Sequence, residues 1–95
     1  MAKLHHSGIS QETRLRQVAV IQSMIADLER VAQILKIDVS TEEERVRVFD
    51  TSDPTYPILA KTLIARRDNL LVTIANLKQR LLAEGATTAE VATAA

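Results

Sequence analysis

The chain has 95 residues, enough for one domain, and its 12 Lys and Arg balance its 12 Asp and Glu to a formal net charge of zero. A 46% hydrophobic, 25% charged make-up is that of a globular chain, and the missing basic excess argues against a nucleic-acid binder. There is no cysteine, so disulfides, thiolate metal sites and thiol nucleophiles are excluded.

Two glycines, two prolines and only two aromatics, Phe49 and Tyr56, leave few places to turn and an aliphatic core. That composition favours helices over a β-sandwich, which needs a turn about every 8–12 residues. No apolar run approaches the roughly 18 residues that span a bilayer. The first ten residues lack the apolar centre of a secretory signal, so the expectation is a cytoplasmic chain with no membrane contact.

Residues 1–9 show no periodicity, and Ser7-Gly8 suits a flexible lead. Ser10 stands where a helix N-cap would, although Thr13 replaces the acid of a capping box. Val18, Ile21, Ile25, Leu28, Ala32, Leu35 and Val39 then recur in steps of three and four, the spacing of one helical stripe. This predicts a helix over about 10–37, with Glu12–Arg16 and Asp27–Arg30 as same-helix ion pairs.

Residues 38–53 form an irregular connection. Within it Ser40-Thr41-Glu42-Glu43 fits a capping box and so a short helix, whereas Arg45-Val46-Arg47-Val48 alternates like a strand. The expectation is a short helical turn that runs into an extended stretch through Phe49. Asp53 and Pro54 suit an N-cap and first helical position, and Pro57 offers a later start. Ala60, Leu63, Ile64, Leu70, Leu71, Ile74, Leu77 and Leu81 make a second stripe, predicting a helix over about 54–84. Gly85 is placed to end it, and residues 85–95, rich in Ala and Thr, read as a disordered tail.

Two helices of matched length imply an all-α antiparallel hairpin. Folded antiparallel, residues whose numbers sum to about 95 are expected to face each other. That sets Arg66 and Arg67 near Asp27 and Glu29, four charges that would fix register. Arg67 falls on the apolar stripe, so its stem should pack while its guanidinium reaches Asp27 or Glu29. Met24, Val31 and Ile34 widen the first stripe, and Ile64 and Leu71 the second. Such wide stripes leave apolar surface outside one seam, which a second hairpin would cover as a dimeric four-helix bundle. Ile21, Met24, Leu28, Val31, Ile64, Leu71 and Ile74 are the expected interaction surface, for a homodimer or another helical protein. Phe49 and Tyr56, on a proline-bearing loop at the hairpin tip, are a second docking candidate.

Catalysis is not expected. No serine sits in a Gly-x-Ser-x-Gly elbow, and no histidine lies outside His5-His6 to act as a base. His5-His6 lacks further ligands, and Glu42-Glu43-Glu44 lacks the glycine of a calcium loop, so no metal or cofactor is expected. The expected function is a small adaptor or regulator acting by helix-to-helix contact. The alternative is a nucleic-acid or nucleoid-associated dimer using Arg45, Arg47, Arg66 and Arg67.

Overall fold

Buried residues on the first stripe recur as Ile21, Ile25, Ala32, Leu35 and Val39, and they meet Ala60 and Ile74 of the second. The computed structural model describes the backbone of residues 2–94 and the side chains of residues 11–84. It contains two helices packed against each other, α1 (Ala2–Val46) and α2 (Ile58–Ala94). The hairpin measures 67 × 19 × 15 Å. A 45-residue helix is about 68 Å long at 1.5 Å per residue, so the long axis of the molecule is α1 itself.

α1 exceeds its expected bounds of 10–37 at both ends, whereas α2 starts later than the expected 54, at Ile58, and runs past 84. The helical backbone runs through residues 2–9 and 85–94, where a lead and a tail were expected, so neither Ser10 nor Gly85 ends a helix; the side chains of 1–10 and 85–95, His5-His6 among them, lie outside the described residues. The extension of α1 through 38–46 is the instructive one. Neither the short separate helix nor the strand forms. Leu35, Val39, Glu42 and Val46 continue the three–four spacing without a break, and Glu42 takes the seam position an apolar residue would hold. A buried carboxylate needs a partner, and Arg45, one turn on, supplies it. Its Nε donates to Glu42 Oε2 at 3.1 Å and its Nη2 to Oε1 at 2.5 Å. This fork holds the Glu42 carboxyl below its usual pKa, chiefly through the hydrogen bonds and secondly through the charge of Arg45.

α1 stops at Arg47, whose φ of 64° is left-handed. The Arg47 N–H donates to the Glu43 carbonyl at 2.7 Å, closing the last turn by the αL capping pattern that glycine usually serves. An arginine there works against the clash between its Cβ and the following carbonyl. Arg47→Gly is therefore expected to stabilise the chain by about 1 kcal/mol, read by chemical denaturation; no gain, or a loss, would contradict this account of the cap.

The reversal is built from two consecutive turns sharing Asp53. Asp50 Oδ1 accepts from the Ser52 N–H (2.9 Å) and hydroxyl (2.7 Å), while the Asp53 N–H donates to the Asp50 carbonyl at 3.0 Å. Asp53 Oδ1 then accepts from the Thr55 N–H (2.8 Å) and hydroxyl (2.6 Å), and the Tyr56 N–H donates to the Asp53 carbonyl at 3.0 Å. Asp53 thus caps a turn, not the helix. α2 begins after Pro57, whose carbonyl accepts the first helical bond from the Lys61 N–H at 3.2 Å. Proline has no N–H to strand there.

Because α1 runs on to Val46, the reversal lies further along the chain, and facing residues sum to about 102 instead of about 95, a slide of roughly two turns. Two clusters fill the seam. Ile21, Ile25, Ala32 and Ile74 form one, with Leu28, Leu77 and Leu81 packed on it. Val39, Tyr56 and Ala60 form the other at the closed end, with Val48, Leu63 and Ile64.

Candidate interaction surface

The slide in register reassigns the charges. Glu29 meets Lys78 across the seam at 3.9 Å, while Asp27 pairs with Arg30 on its own helix at 3.5 Å. Arg67 is half-buried, and its Nη2 reaches the neighbouring Asp68 at 3.5 Å, not Asp27 or Glu29. Arg66 is exposed. Of the four charges assigned to hold the register, only Glu29 has a described ion pair with the opposite helix, and its partner was not anticipated.

The seven apolar residues proposed as one surface divide. Ile21 and Ile74 are buried in the seam, and Leu28 and Ile64 are half-buried against it. Met24, Val31 and Leu71 are open to solvent, with Met24 44% and Leu71 48% exposed. These three do not share a flank. Met24 lines a groove with Val20, Leu77 and Arg80, whereas Leu71 lines another with Gln33, Lys36 and Lys78. Met24 and Gln33 are nine positions apart, about two and a half turns, so they leave opposite sides of α1.

One flank is apolar. Val20, Met24 and Val31 are spaced by four and seven along α1, which stacks them in one row, and all three are exposed. Leu28 and Leu77, half-buried, continue this row into the seam. The opposite flank is basic, with Lys36, Arg67 and Lys78 around a floor of Ala32, Leu71 and Ile74.

At the tip, Phe49 and Tyr56 have separate fates. Phe49 is 55% exposed. Tyr56 is 3% exposed, and its hydroxyl donates to Glu43 Oε2 at 2.8 Å. Its ring closes the end of the hairpin. Burial raises the Tyr56 pKa, the hydrogen bond to Glu43 and the charge of Glu43 add to that, and Arg67 offsets part of it. A raised folded pKa means the contribution is whole below the unfolded value of 10.0 and is lost as pH rises through the folded one. Tyr56 is the sole tyrosine, so the phenolate absorbance near 295 nm reports it alone. The folded chain should titrate above pH 10, and a midpoint at or below 10 would contradict the buried, Glu43-bonded hydroxyl.

The hydroxyl and backbone N–H of Ser52 hold the Asp50 carboxyl below the ordinary range, and those of Thr55 do the same for Asp53. Both carboxylates are consumed by turn geometry. Among the described residues no three His, Cys, Asp or Glu side chains converge as a metal site, and no helix is long and apolar enough to cross a membrane. Arg45 is engaged by Glu42 and Arg47 ends α1, both at the tip, while Arg66 and Arg67 lie on α2 more than two turns from its start. The four arginines of the nucleic-acid reading therefore do not form one continuous stripe.

Sequence reasoning missed Lys36 and Lys78 as site residues because they are ordinary surface lysines until the register is known. Compared with protein-family models, characterised proteins and solved structures, the chain matches none.

Proposed function

We propose that the chain is a non-catalytic interaction protein that works as a homodimer, two hairpins joined along the Val20–Met24–Val31 row into a four-helix bundle, and acts as a small adaptor or regulator. One observation carries the reading, which is how much surface the lone hairpin leaves in water. The chain exposes 7168 Å², against about 5,400 Å² for a compact monomer of its 10.5 kDa. Its radius of gyration is 20.5 Å, where a compact chain of this length has about 12 Å. The apolar part of that surface on one flank of α1 is the row Val20, Met24 and Val31, 57%, 44% and 40% exposed.

The core alone is thin. Among the described residues the buried hydrophobics are few and no large side chain is fully buried, while Val20, Met24 and Val31 remain in water. A two-fold contact along one row buries each of these side chains twice over and satisfies the geometry of paired hairpins. Melting as a function of concentration tests the reading. If folding and association are linked, the melting temperature should climb as the chain is concentrated from about 1 to 100 μM. A melting temperature independent of concentration, together with a monomeric mass, would remove the homodimer.

A further inference from the structure

The basic flank lies across the hairpin from the apolar row and is unused by the dimer. Three cations, Lys36, Arg67 and Lys78, surround it, and Glu29 is the one carboxylate in its lining. Glu29 is already engaged, with Lys78 at 3.9 Å. Lys36 has no ion pair among the described residues. Arg67 has one described ion pair, to Asp68 through one terminal nitrogen at 3.5 Å; its charge also acts on the Tyr56 hydroxyl, and its Nε is buried without a hydrogen-bond acceptor. A buried donor on a charged group without an acceptor is costly and is normally satisfied. The groove thus has an unpaired cation, Lys36, beside Arg67, whose pairing is confined to its neighbour Asp68, at one end and the Lys78–Glu29 pair at the other.

We infer that this groove docks an acidic amphipathic helix of a partner protein, with a carboxylate seated between Lys36 and Arg67 and an aliphatic side chain on Leu71. Charge complementarity gives the sign, and the floor gives the body. Ala32, Leu71 and Ile74 are apolar, and Leu71 is half exposed, so the ligand must bring hydrocarbon beside its charge. A nucleic-acid backbone offers phosphate without that hydrocarbon. The zero net charge of the chain also gives a polyanion no long-range attraction. The geometry is helical as well. Glu29 and Lys36 are seven residues, about 10 Å, apart on α1, the span of two turns on a helix laid alongside.

Fluorescence anisotropy tests the inference with a labelled 14-residue amphipathic peptide carrying one Glu at position i, for the Lys36–Arg67 end, and Leu at i+3, i+4 and i+7. Its twin carries Gln in place of Glu. The Glu peptide should bind the full-length chain at least tenfold more tightly than the Gln peptide at low salt, and the gap should narrow at high salt. Lys36 is exposed, so Lys36→Ala leaves the core intact and should remove most of the difference. Arg67→Lys, which keeps the charge and loses the fork, should remove part of it. Arg80→Ala on the other flank should change nothing. Equal binding of the two peptides, no binding of either, or tighter binding of a DNA duplex than of the Glu peptide would overturn the inference. So would conversion of a dimer to monomer by Lys36→Glu, since the groove would then belong to the self-association face. The homodimer reading stands or falls separately, on mass and on melting against concentration.

Discussion

Tyr56→Ala is expected to lower the melting temperature by about 15 °C or more at a fixed protein concentration, followed by circular dichroism at 222 nm. The ring is the largest side chain in the closed-end cluster, where it touches Val39 and Ala60 with Val48, Leu63 and Ile64 around it. Ala60 has no exposed surface at all, so the ring and the first turn of α2 are in close contact and cannot collapse into the void. The hydroxyl bond to Glu43 joins residues 13 apart across the reversal. Losing the ring therefore opens a cavity and frees the turn at once. Tyr56→Phe isolates the second part, since it keeps the ring and loses one hydrogen bond. A fall of about 5 °C is expected for it. If Tyr56→Ala melted within a few degrees of the parent, the closed end would not be a core.

The second large effect falls on association. Met24→Glu combined with Val31→Glu should leave the helices formed but raise the dissociation constant of the dimer by about a thousandfold or more, because each unpaired charge buried in an interface costs several kcal/mol. Both positions are exposed in the single hairpin, so the substitution carries little cost there. Ala65→Glu, on the exposed outer side of α2, is the control and should not change the mass. Sedimentation velocity reads all three chains. A double variant that sediments like its parent would exclude the Met24–Val31 row from the interface.

The all-helical hairpin was legible in the sequence because periodicity is set by side-chain spacing alone. Ile21, Ile25, Ala32 and Leu35 carry the three–four rhythm whatever they pack against. The end of α1 was not legible. Glu42 stands on the seam, and a charge in an apolar stripe looks like an interruption until Arg45 is seen to clasp it. The signal available was the unbroken spacing of Leu35, Val39, Glu42 and Val46. A helix that ended at Ile37 would place the reversal earlier and shift the register by roughly two turns, and with it the partners of Arg67.

Other features had weaker signals. The two Asp-x-Ser/Thr steps, Asp50–Ser52 and Asp53–Thr55, are a turn signature in the sequence. Asp53 next to Pro54 suited a helix start equally well, and only the backbone decides between them. No residue pattern marks Arg47 as left-handed. For the site, the stripe widths were legible but the sides were not. Whether Met24 and Leu71 share a flank depends on how the two helices are rotated against each other, which is a property of their packing and not of either stripe.

Size-exclusion chromatography with light scattering, run over a dilution series, tests the dimer most directly. A homodimer gives a mass near twice 10.5 kDa that persists on dilution to low micromolar concentration. A stable mass of 10.5 kDa at every concentration would contradict it and leave the Val20–Met24–Val31 row as a face for a different protein.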